Sequence, residues 1–164
     1  MPSDHSDGFF FDLVSGINPN HIKDTSMEPL QQLIDSYMNT YRAIMWRMKD
    51  RAVDSRGLSE TVRLTENTIR LRRQKPGLWR VSEVRLLAEY FGLPDNACVR
   101  LEQELTPFMN QALQMPPSKR RLLEQATQLH LRRMSANKRL DWPVEDIEKL
   151  RKGLQQFDAS ACVG

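Results

Sequence analysis

The chain has two cysteines in 164 residues, Cys98 and Cys162, and three histidines, His5, His21 and His130, which stand far apart. Two thiols make no disulfide framework, and histidines that never fall beside cysteines or acids at ligand spacing offer no metal site. The seven glycines are scattered, so no glycine loop is available to cradle a phosphate, and no serine or cysteine stands in a nucleophile motif. No apolar run approaches the ~20 residues that cross a bilayer. The opening MPSDHSDGFFFDLVSG carries acids where a secretory leader carries bases. Together these absences argue against an enzyme, a cofactor, a bound metal, a small-molecule ligand or a membrane partner, and the expected compartment is the cytoplasm.

What is present is charge, unevenly placed. Hydrophobic residues make up 40% of the chain, enough for a core, and the formal balance is only +3. Residues 1–33 carry five acids and one base, whereas residues 41–80 carry eleven bases and four acids, a net of +7. Residues 81–116 return to a net of −3, and residues 117–140, with seven bases and one acid, rise to +6. Two basic blocks therefore alternate with acidic ones, which predicts two basic patches.

The apolar spacing is helical throughout. Leu30, Leu33, Ile34, Tyr37, Met38, Tyr41, Ile44, Met45 and Met48 recur at steps of three and four and predict a long helix over roughly 28–52, opened by the capping-box pattern Thr25 to Glu28. A short helix follows at 55–62, then a third from the N-cap Thr65 to the break at Lys75-Pro76-Gly77. Ser82 is the expected cap of a fourth helix carrying Val84, Leu87, Ala88 and Phe91, closed by Gly92 and Pro94. Asp95 is the expected cap of a fifth, which Thr106-Pro107 either breaks and restarts or kinks as one helix on the same core. Pro116-Pro117 is the expected boundary, with Ser118 capping a sixth helix and Asp141-Trp142-Pro143 opening the last. No stretch alternates with period two, so the expected fold is all-α. The domain plan is a flexible acidic tail at 1–24, a first domain at 25–115, a helical region at 118–158 and a tail at 159–164. The cluster Phe9, Phe10 and Phe11 in the first tail either tucks onto its own domain or serves as a short partner-binding motif.

One internal echo stands out. LRRQKPGLWRVSEVRLL (71–87) and LRRMSANKRLDWPVEDIEKL (131–150) share Leu-Arg-Arg, a spacer, Trp-X-Val-X-acid and an amphipathic helix. The echo is either a decayed duplication or a chance likeness of two basic segments. Trp79 and Trp142 are expected to pack as lids on the core.

The order short helix, tight turn, short basic helix, loop and amphipathic helix ending in Gly-Leu resembles helices two to four of the lambda-repressor and Cro-like helix-turn-helix family. Without a gap, Leu58 falls on the apolar anchor of the family's second helix and Ser59 on its small crossing residue. Leu64 falls on the apolar residue after the turn, Thr65 on the recognition-helix cap, Ile69 on the buried aliphatic and AEYFGL on the closing helix. The likeness covers residues 35–94, and a degenerate second copy of the same helix-turn-helix unit would occupy 118–157. Three positions depart from the family: Arg63 where glycine is usual in the turn, Gly57 inside the second helix, and Arg72 where a buried aliphatic is usual.

The resemblance implies a sequence-specific, nucleoid-associated transcriptional regulator of double-stranded DNA, acting as a homodimer on two half-sites. By position, Glu66, Asn67 and Arg70 would meet base edges, because Asn pairs with adenine, Arg with guanine, and Glu accepts from cytosine. Thr65, Arg72, Arg73, Lys75 and Arg80 would contact phosphates. Arg120, Arg121, Arg132, Arg133, Lys138 and Arg139 would form a second basic patch, for DNA or for assembly. The alternative from the residues alone is a non-catalytic helical interaction module, adaptor-like or antitoxin-like, using the basic faces or the Phe-rich N-terminus on an acidic partner.

Overall fold

The computed structural model describes residues 28–50, 53–135 and 141–161. The capping box at Thr25, the Phe cluster, Lys138, Arg139 and Cys162 lie outside these residues. The described residues form eight α-helices: α1 (Glu28–Arg47), α2 (Ser55–Val62), α3 (Glu66–Gln74), α4 (Val81–Tyr90), α5 (Asn96–Gln114), α6 (Pro117–Thr127), α7 (Leu131–Ser135) and α8 (Val144–Ala161), with a 3-10 turn at Pro76–Leu78 before α4. The all-α expectation holds for them. None of these helices is long and apolar enough to cross a membrane.

The stripe predicted for α1 is the buried face: Leu33, Ile34, Tyr37, Met38, Tyr41, Ile44 and Met48 are all in the core. The helix nevertheless stops at Arg47, short of the expected 52. Lys49 N donates to Trp46 O and Asp50 N to Arg47 O, three-residue bonds that tighten the chain out of α geometry. Asp54 then opens α2 by accepting from Arg56 N (3.0 Å) and Gly57 N (3.2 Å).

The turn from α2 to α3 is held by its backbone. Arg63 adopts a left-handed conformation (φ 55°, ψ 40°), and Leu64 N reaches back to Ser59 O at 3.2 Å, the six-to-one bond of a Schellman closure. Ser59 Oγ adds a hydrogen bond to Leu64 O. Thr65 caps α3 as expected, its Oγ1 accepting from Thr68 N.

Three expected caps are corrected. α4 starts at Val81 with Arg80 in the cap position, so Ser82 lies in the first turn. Asp95 precedes α5, but its side chain accepts no capping bond, and α6 starts at Pro117, one residue before Ser118. α5 is one continuous helix through Pro107, and α8 runs through Ala161 into the stretch expected as a tail.

The Trp-X-Val echo is a contact between its own two copies. Val81 N donates to Trp142 O (3.0 Å) and Val144 N to Trp79 O (2.8 Å), so Arg80 and Pro143 face each other in an antiparallel bridge. Both indoles are buried, as lids on the core. Asp141 joins the same seam: its Oδ1 accepts from Ser82 N (3.1 Å) and its Oδ2 from Ser82 Oγ (2.7 Å), capping α4 from the far end of the chain. The Leu-Arg-Arg echo has no such meaning. Leu71-Arg72-Arg73 lies in the last turn of α3, whereas Leu131-Arg132-Arg133 opens α7.

One hydrophobic cluster runs through all of this, from Leu33 in α1 to Leu154 in α8. α1 packs on α5 and α8, α4 on α5 and α2, and α6 on α8. Pro116-Pro117 therefore ends α5 without dividing two cores, because helices on either side of it share the same buried face.

Candidate nucleic-acid interface

α3 is fixed from behind and from both ends. Ile69 is fully buried against the cluster containing Leu58 and Val62, the Thr65 cap holds one end, and the Lys75 amide closes the other on Leu71 O at 2.9 Å. On nine residues with 3.6 per turn, that inner face leaves Glu66, Asn67, Arg70, Leu71 and Gln74 on the outside, and all five are exposed. The three residues assigned to base edges thus share one solvent face. Leu71, 46% exposed, lies beside Arg70 on that face and was not among the sequence-derived candidates.

The five expected phosphate contacts are not all on that face. Arg72 points inward, in an ion pair with Glu83 and above the Trp79 ring with its guanidinium carbon 5.6 Å from the centroid. Burial, and after it the nearby Arg80, lowers its pKa from the ordinary guanidinium value. This corrects the placement of Arg72: the guanidinium occupies the buried aliphatic site, made tolerable by a carboxylate and an aromatic face. Glu83 also accepts from Arg80 N at 2.9 Å, so one carboxylate serves the end of α3 and the start of α4.

Arg73 is half-buried and donates to Val53 O (3.0 Å) and Ser55 Oγ (3.4 Å), tying α3 to the entry of α2. Thr65 is exposed while its hydroxyl serves the cap, Lys75 is exposed, and Arg80 is exposed with Nη1 3.1 Å from Asp141 O. Lys75 and Arg80 flank the 3-10 turn at the C-terminal end of α3, and Arg63 is exposed at the other end, in the turn before it.

In the second basic block Arg120 is drawn inward, closing α5 through a bond from Nη1 to Leu113 O at 3.1 Å. Arg121, Arg132 and Arg133 are exposed. Arg121 is on α6 and the other two are on α7, across a turn in which Gln128 is again left-handed (φ 56°). The role of Asp141 was not foreseen: it was assigned to its own helix, and its partner Ser82 is 59 residues away.

No protein-family model, no curated protein and no solved structure matches this chain.

Proposed function

We propose that this protein binds duplex DNA through the outer face of α3 laid in the major groove, and that it regulates transcription by doing so. The observation that carries the reading is the division of labour around α3. Ile69, Arg72 and Arg73 anchor the helix by burial and pairing, while Glu66, Asn67 and Arg70 hold one exposed face that no packing requirement explains. A rigid helix with fork-shaped and amide side chains on one face suits the major-groove pattern, in which Arg reads the guanine acceptors, Asn the adenine donor and acceptor, and Glu the cytosine amine. Lys75, Arg80 and Arg63 border the helix and would neutralise phosphates, which gives affinity and a salt-dependent register without choosing a sequence.

The test is selection from a random duplex library at ~0.15 M salt, run beside an Asn67→Ala, Arg70→Ala double variant. The expected result is a defined motif for the native protein and its loss in the variant, with folding unchanged because both side chains are exposed. Equal behaviour of the two proteins, or no enrichment by either, rejects the reading. A protein-contact role has one observation of its own in Trp46, which is 75% exposed on α1.

A further inference from the structure

The two halves of the chain repeat one another beyond the Trp-X-Val contact. Among the described residues only Arg63 and Gln128 are non-glycine residues with positive φ, and each ends a helix and is followed by a leucine, one residue and a new helix. In this register Leu58 matches Leu123 and Val62 matches Thr127, all buried, and Leu64 matches Leu129. Ile69 matches Met134, which packs on the same core. Past the tryptophans, Val81, Val84 and Leu87 match Val144, Ile147 and Leu150, all six buried.

The packing repeats in part. α2 lies on α4 as α6 lies on α8, and α1 packs on α8 as α5 packs on α4; α1 also packs on α4, and α7 packs on α5 where α3 packs on α2. The reciprocal bonds between Trp79, Val144, Trp142 and Val81 make the relation between halves locally two-fold. A two-fold is also the operator that relates the half-sites of a palindromic duplex site.

We propose that α6, α7 and α8 form a second reading unit and that one chain engages a bipartite duplex site, with α3 on one half and α7 on the other. The proposal rests on the duplex-DNA reading above and replaces the homodimer expected from sequence with a pair built into one chain. The register puts Arg132 at the place of Asn67 and Arg133 at that of Thr68, and both arginines are exposed. An arginine at that place reads guanine, so the second half-site differs in sequence from the first. The units are not identical: Trp79 lies sixteen positions past Arg63, and Trp142 fourteen past Gln128. Leu131, fully buried, stands at the place of the exposed Glu66, so the second unit offers one outward contact fewer there, which makes the second half the weaker determinant.

The experiment is duplex selection followed by native mass spectrometry of the complex on the enriched site, for the native protein, the Asn67→Ala, Arg70→Ala variant and an Arg132→Ala, Arg133→Ala variant. The expected result is one chain per duplex and a two-part motif. The α7 variant should lose one part of the motif, and the α3 variant, deprived of the stronger half, should enrich none, with affinity for the full site falling roughly ten- to a hundredfold in the α7 variant. Two chains on a symmetric motif overturns the proposal while leaving DNA binding intact, as does an α7 variant with unchanged motif and affinity. No enrichment by the native protein overturns both readings.

Discussion

Gly153 of α8 lies against Thr127 of α6 so closely that a β-carbon on the glycine would sit 2.5 Å from the threonine Cα. The obstacle is the Thr127 backbone at the end of α6 together with its Cγ2, so turning the side chain aside does not clear it. Gly153→Ala is therefore expected to lower stability by about 1–3 kcal/mol through overpacking, although alanine is the better helix former. Denaturant unfolding of the variant checks it. An unchanged midpoint would mean that α6 and α8 separate at no cost.

Glu83 holds the Arg72 guanidinium and the Arg80 amide at once. Removing it leaves a buried cation alone, so Glu83→Ala is expected to cost about 3–5 kcal/mol. Replacing the pair together, with Arg72→Met and Glu83→Gln, should cost far less, since glutamine still accepts from Arg80 N and methionine fills the guanidinium's place. A double-mutant cycle by urea unfolding measures the difference, and additive effects would show that the two side chains do not depend on one another.

Arg63 holds a left-handed backbone at the turn between α2 and α3. Arg63→Gly is expected to raise stability by roughly 0.5–1 kcal/mol, and Arg63→Val to lower it, because a β-branched residue resists that conformation most. Thermal unfolding of the two variants should move in opposite directions. A glycine variant that melts lower than the native protein would contradict the backbone argument.

Base should unfold the protein early. Burial, then Asp95 and Glu102, pushes the Cys98 thiol up from 9.0 to about 12, and burial, then Glu148, pushes Tyr41 from 10.0 to about 12. Both groups bind their proton more tightly folded than unfolded, so their contribution is complete below the unfolded values and is lost as pH climbs from about 9 toward about 12. Tyr37, raised further by its burial, acts in the same direction. Unfolding free energy measured across that range should fall steadily, and a flat profile would rule these groups out as its source.

The buried face of α1 and the cap at Thr65 could be read in the sequence, because each depends on residues a few places apart, and the left-handed demand at Arg63 came with the family resemblance. Position 72 could not. Hydrophobicity alone favours Leu71 as the inward residue, yet the helical period from Ile69 points position 72 inward, and only Glu83 and Trp79, far along the chain, make a cation acceptable there. The caps failed for the same reason. Ser82 has the right chemistry, but the approach of Asp141 sets where α4 begins. The outward set Glu66, Asn67 and Arg70 on α3 came from the family resemblance by position, while the inward turn of Arg72, Arg73 and Arg120 depended on partners in other elements. The Leu-Arg-Arg echo misled because a three-letter match says nothing about which end of a helix carries it.

The seam between Trp79 and Trp142 also fixes an order of events during folding. The carboxylate that caps α4 and the backbone partners of Val81 N and Trp79 O come from residues 141–144, and α1 finds part of its cover only in α8. A growing chain released to that point holds a first half whose closing contacts do not yet exist. Its formation is governed by long-range closure rather than by local helix growth, which slows folding relative to a bundle of sequential hairpins. The first unit gains its last contacts only with the last helix.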